Sequence, residues 1–154
     1  LSDEERREIE IELQHYEQPS AVGIEALKIV ARHRGGWVSD EAMDDVGQFL
    51  NMSRAELDSV ATFYNLIFRK PVGRHVILVC NSITCWIMGY ETVRQYLSRT
   101  LGIDMGQTTP DGRFTLLPIV CLGTCDHAPA MMVDTDLHED LTPEKVASIL
   151  EQYQ

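Results

Sequence analysis

The sequence predicts an α+β chain in two parts, a four-helix domain over residues 1–70 and a layered α/β domain over residues 71–154. Three observations predict it. Up to Lys70 the apolar residues recur at helical spacing, from His75 they gather into unbroken runs of strand length, and Pro71 with Gly73 mark the change of rhythm.

Each helix of the first part carries its own punctuation. Ser2 followed by Glu5 is a capping box, in which the hydroxyl accepts from a first-turn amide and the carboxylate reaches back to the cap's own N–H. Ile9, Leu13 and Tyr16 then form one stripe. Pro19 and Ser20 open a second helix carrying Val22, Leu27, Ile29 and Val30, which Gly35 and Gly36 stop. A third starts after Ser39, with Met43, Val46, Phe49 and Leu50 on one face, and ends at Asn51. Ser53 with Glu56 is another capping box. The helix it opens is expected to carry Leu57, Val60, Ala61, Phe63, Tyr64 and Ile67, an apolar face broad enough to dock on a partner or to seal a junction between domains.

In the second part His75 to Cys80 reads as a strand buried on both faces. Ile87, Tyr90, Val93, Leu97 and Leu101 predict one helix ending at Gly102, and Pro110, Asp111 and Gly112 a turn. Phe114 to Val120 and Ala130 to Val133 read as further strands. A last helix opens at Thr142 with Pro143 in its first position and turns Val146, Ile149, Leu150 and Tyr153 inward. Strand, helix, strand, strand, helix is the order of the closing part of a thioredoxin-like domain.

Bulk properties exclude several classes. A formal net charge of −11 argues against nucleic acid and anionic membrane surfaces as partners, because both need a basic face. No run approaches the roughly 20 apolar residues of a membrane span. The first residues have no apolar signal-peptide core, so a cytoplasmic chain with reduced thiols is expected. There is no Gly-x-Gly-x-x-Gly opening a strand–helix unit, hence no sign of a dinucleotide site, and no nucleophile–base constellation.

The chemistry lies in the cysteines. All four fall into two pairs, Cys80 with Cys85 and Cys121 with Cys125, each directly after an apolar run. Two neighbouring strand ends can bring four sulfurs together as the all-thiolate set that zinc or an iron–sulfur cluster requires. Structural disulfides fit poorly with the expected compartment, and thioredoxin-type redox chemistry needs Cys-x-x-Cys, which neither pair has. Structural zinc usually has two residues between paired ligands. The longer loops here favour a binuclear [2Fe–2S] centre, one pair for each iron, with zinc as the competitor. Gly123 would let amide N–H groups approach sulfur, Asp126 would lower the potential, and Pro129 would stiffen the loop's exit. His127 is expected beside the site rather than in it. Trp86 would either screen the cluster or fill the core.

Cys-x4-Cys, the later Cys-Leu-Gly-Thr-Cys-Asp-His-Ala-Pro and the intervening Gly-Gln-Thr-Thr-Pro-Asp-Gly-Arg-Phe-Thr-Leu resemble the thioredoxin-like [2Fe–2S] E-subunit family of respiratory NADH:quinone oxidoreductase, complex I. Val60-Ala61-Thr62-Phe63-Tyr64 and Leu141-Thr142-Pro143-Glu144-Lys145-Val146 extend the resemblance over the whole chain. It implies an N-terminal four-helix domain followed by a thioredoxin-like α/β [2Fe–2S] ferredoxin domain. Cys80 and Cys85 would hold one iron, and Cys121 and Cys125 the other. It further implies an electron carrier without a catalytic site of its own, whose partner is the flavoprotein subunit holding FMN and NADH. Other peripheral-arm subunits of the membrane-bound complex would lie nearby. Within the resemblance, the equivalent subunit of an NAD-linked hydrogenase or formate dehydrogenase is the nearest alternative. A stand-alone thioredoxin-like ferredoxin and a zinc-stapled interaction module are others.

Overall fold

A computed structural model describes residues 1–154, which divide into two compact units, Leu1–Pro71 and Val72–Gln154.

The first unit is helical: α1 (Asp3–Leu13), a 3-10 turn (Pro19–Val22), α2 (Gly23–His33), α3 (Asp40–Leu50) and α4 (Arg54–Phe63). Both capping boxes are present, with Ser2 and Ser53 accepting from the amides of Glu5 and Glu56 and each glutamate bonding back to its cap. Ser39 caps α3, and Asn51 closes it in the left-handed conformation at φ 54°. Amphipathic spacing then turns one face of every helix to a shared interior, where Ile9, Val22, Leu27, Val30, Met43, Val46 and Leu57 are fully buried. Each such side chain contributes roughly 1.5–3 kcal/mol. Glu5, only 2% exposed, takes a two-pronged contact from Arg34 at 2.7 and 2.8 Å, and Arg34 also reaches Asp45 at 2.8 Å. Arg69 binds Asp58, Asp40 and the carbonyl of Val38, tying the chain after α4 to the start of α3.

One expectation changes here. The apolar stripe of α4 does not run to Ile67, because Tyr64 leaves helical geometry at φ −92°, ψ 117°. Ile67 still reaches the core, through a turn in which its amide bonds to the carbonyl of Tyr64. Phe63, Tyr64 and Leu66 are left at the surface, with the two aromatic rings edge to face at 5.2 Å.

The second unit comprises β1 (His75–Cys80), α5 (Ile83–Met88), α6 (Tyr90–Leu101), β2 (Phe114–Ile119), a 3-10 turn (Cys125–His127), β3 (Met131–Val133), β4 (Asp136–His138) and α7 (Pro143–Leu150). The sheet order is β2-β1-β3-β4. β1 and β2 are parallel, so their C-terminal ends coincide and Cys80 lies opposite Ile119. β3 runs antiparallel to β1, and β4 to β3. As the central strand, β1 is buried from Val76 to Cys80, which explains why it is apolar without alternation. Ile77, Val79, Phe114, Leu116, Met131 and Val133 join Val93 and Leu97 of α6 and Val146 and Ile149 of α7 in one core.

The single helix expected up to Gly102 is two helices, broken at Gly89, whose φ of +124° suits glycine alone. Gly102 does close the second, in the left-handed conformation. β2 stops at Ile119 and leaves Val120 exposed, β3 begins at Met131, and β4 is an added strand. α7 ends at Leu150, so Tyr153 is only half-buried, its ring 5.3 Å from that of His75.

Candidate metal centre

Parallel pairing of β1 and β2 places the site. Cys80 is the last residue of β1, and Cys121 follows the end of β2 by two residues. Cys80 N–H bonds the carbonyl of Ala130, just before β3, at 3.1 Å, while Asn81 N–H bonds the Ile119 carbonyl at 3.0 Å and locks these strand ends. From there the chain enters α5, which presents Cys85, and the loop after β2 turns at Gly123 (φ +79°) to present Cys125 at the start of a 3-10 turn. The predicted residues therefore come together at one end of the sheet. All four are free thiols.

The two pairs differ in setting. Cys80 and Cys85 are buried among Ala128 and Ala130, with Ile119 and Leu122 packed around them. Cys121 and Cys125 are exposed. Burial, reinforced by the neighbouring Cys80 thiol, pushes Cys85 up to about 11. Cys125 is raised as well, chiefly because its neutral thiol can donate to Cys121. Within each pair, then, one sulfur resists the ionisation of the other, and four thiolates require positive charge between them.

Donors from the protein are aimed at the sulfurs. Gly123 N–H points at Cys121 Sγ at 3.4 Å, as its loop position suggests, and the Ala130 amide faces Cys85. The Thr84 hydroxyl faces Cys125, linking the first loop to the second pair. Neither Ala130 nor Thr84 was recognisable as a donor from sequence, although Thr84 lies between the paired cysteines and Ala130 in the predicted third strand. The second loop is fastened from outside by Thr124, which donates to Glu139, while Lys145 Nζ bonds the Glu139 carbonyl at 2.6 Å.

His127 stands half exposed and bonds to Asp140 at 3.0 Å, which raises its pKa. Trp86 is 61% exposed, so it does not fill the core. Ile83, Ile87 and Met88 of the same short helix are also at the surface.

The donor set suits a binuclear cluster. Two pairs, one sunk and one at the rim, with amide and hydroxyl donors to sulfur, suit a centre in which each iron takes two thiolates.

Comparison with known proteins agrees. The model of the thioredoxin-like [2Fe-2S] ferredoxin family matches residues 9–154. The E subunit of NADH-quinone oxidoreductase from Pseudomonas aeruginosa is 54% identical over 153 residues, covering 99% of this chain and 92% of its own. The chain belongs to the thioredoxin-like [2Fe–2S] ferredoxin family, among the E subunits of NADH-quinone oxidoreductase. Its counterpart from Escherichia coli strain K12 is 52% identical over the same length, with the same coverage. The cofactor of this E-subunit family is one [2Fe–2S] cluster, and its members are oxidoreductase subunits. Among solved structures, an NAD+-reducing [NiFe]-hydrogenase in the air-oxidised state superposes with a TM-score of 0.70 at 22% identity. That match covers 83% of this chain but 22% of the hydrogenase chain, and shows a shared fold. With it the α+β, thioredoxin-like expectation holds.

Proposed function

We propose that this E-subunit family member is the [2Fe–2S] electron carrier of the NADH-oxidising module of NADH-quinone oxidoreductase, exchanging single electrons with FMN held by a partner flavoprotein subunit. Residues 71–154 form the cluster domain and residues 1–70 the helical domain. Cys80 and Cys85 hold one iron and Cys121 and Cys125 the other. The observation that carries this reading is the delivery of two cysteine pairs to one sheet end by the parallel strands β1 and β2.

When bound, the cluster supplies a one-electron store of low potential. The chain's own residues hold and tune it. Cys80 and Cys85, on an apolar floor, anchor its inner side, and Cys121 and Cys125 leave its outer side facing the surface where a redox partner can approach. Gly123 N–H, Ala130 N–H and the Thr84 hydroxyl direct positive dipole ends at sulfur, which favours the more negative reduced state. Asp126, almost fully exposed, opposes them.

No helix is long and apolar enough to cross a membrane. Attachment through other peripheral-arm subunits, on the cytoplasmic face of the inner membrane, fits that. The sequence relatives at 52–54% identity support the quinone-linked complex over the hydrogenase context, for which the likeness is one of fold.

The test is EPR of the anaerobically purified, dithionite-reduced protein, with iron, sulfide and zinc measured on the same sample. An S = 1/2 signal with iron and sulfide in equal amounts is expected. A colourless, silent sample containing zinc would replace the carrier with a structural module. Copurification of an FMN-containing subunit with the tagged chain tests the partner.

A further inference from the structure

The four cysteines are unequal in a way that electron transfer does not require. Cys80 and Cys85 are 2% and 3% exposed, whereas Cys121 and Cys125 are at the surface. In both pairs the two thiols are near neighbours, so proximity does not distinguish them and access does. The outer pair lies on the loop after β2, where the backbone reverses at Gly123 (φ +79°). The inner pair is held by β1 and by α5, with Ala128 and Ala130 packed against it.

We propose that in the cluster-free chain Cys121 and Cys125 form a reversible disulfide, a modification that closes the site to iron and sulfide until it is reduced. A small-molecule disulfide such as oxidised glutathione is the oxidant. One outer thiolate attacks a glutathione sulfur, forming a mixed disulfide and releasing one glutathione; the second outer thiolate then attacks the protein sulfur of that adduct and releases the other. Net, two protein thiols become one disulfide and one oxidised glutathione becomes two reduced molecules, which carry the two protons. Both electrons leave the protein sulfurs for glutathione. Cys80 and Cys85 remain thiols because an attacking disulfide cannot reach them. Only the effect on loading rests on the ligand assignment above; the bond itself does not.

To test this, the full chain is freed of metal with chelator and dithiothreitol, desalted, and treated with oxidised glutathione. Free thiols are alkylated after unfolding and mapped by mass spectrometry, and a parallel sample is offered ferrous iron and sulfide. The expected result is loss of two thiols, a peptide pair linking Cys121 to Cys125, alkylated Cys80 and Cys85, and no cluster absorbance until dithiothreitol is added. The double variant Cys80→Ser/Cys85→Ser should still lose two thiols. Cys125→Ser should instead keep a stable glutathione adduct on Cys121. A disulfide at Cys80 and Cys85 or across the pairs, four unreacted thiols, or equal loading by oxidised and reduced chains would overturn the proposal. Failure of the reduced chain itself to take up iron and sulfide, with the Cys121–Cys125 link mapped as expected, would instead count against the carrier function and leave the disulfide standing.

Discussion

Glu5 gives the clearest quantitative test of how the helical unit is held together. It is a first-turn residue of α1, closing the capping box with Ser2 N–H at 2.7 Å, and it is also the buried partner of Arg34 at the end of α2. The Arg34 hydrogen bonds, outweighing the cost of burial, hold its carboxyl at about 2 instead of 4.5. At 1.36 kcal/mol per pH unit, that difference corresponds to about 3 kcal/mol of folding stability. Because the folded pKa is the depressed one, the contribution is complete above the unfolded value near 4.5 and disappears as pH falls through the folded value near 2. Glu5→Gln keeps the volume and removes the charge, leaving Arg34 with Asp45 alone. We expect it to cost about 2–3 kcal/mol at pH 7, at or just below the range for breaking one partner of a fully buried pair, because Arg34 is partly exposed. The assay is urea unfolding of the full chain in a Trp86→Phe background, where Trp37 reports the first unit alone. With a slope of roughly 1 kcal/mol per molar urea, the midpoint should drop by roughly 2–3 M at pH 7. The gap between the two proteins should narrow steadily between pH 5 and 2. A gap that is absent at pH 7, or constant with pH, would refute the reasoning.

Three further outcomes are expected. Alanine at Cys80, Cys85, Cys121 or Cys125 should abolish or weaken the cluster, as seen in visible absorption, whereas His127→Ala should retain it with at most a shifted potential. Gly47→Ala should destabilise the first unit in thermal unfolding although alanine is the better helix former, since its β-carbon would lie 2.8 Å from the Met52 carbonyl, a fixed backbone atom. His138, lowered chiefly by burial, should titrate below 6.5 by NMR; because the unfolded chain binds that proton more readily, its contribution makes the protein less stable as pH drops below about 6.5.

Much of the fold was legible because local signals agreed with the packing. Ser2, Ser39 and Ser53 mark helix starts by a chemistry that acts within three residues, and β1 is continuously apolar because both its faces are covered. The failures lie where tertiary contacts decide. Gly89 breaks a helix whose apolar spacing runs on through Ile87, Tyr90 and Val93, and nothing local separates a tolerated helical glycine from one at φ +124°. β4 is three residues with no apolar run, and pairing with β3 rather than its own composition makes it a strand. Ile67 keeps helical phase with Val60 and Tyr64 yet reaches the core by a turn. At the candidate metal centre the pairing of the cysteines could be read from the sequence. Their unequal exposure could not, because it depends on Ala128 and Ala130 arriving from β3's approach, far along the chain.

The parallel β1–β2 pair also dictates when the site can exist. A hairpin would close as soon as its turn was made, but parallel strands meet only after the intervening α5, α6 and turn have been threaded across. The Ala130 amide that faces Cys85 comes later still. During synthesis, the emerging polypeptide therefore offers any iron-delivering factor one isolated dithiol at a time. Bringing both cysteine pairs to one place is a property of the folded second unit, not of either loop by itself.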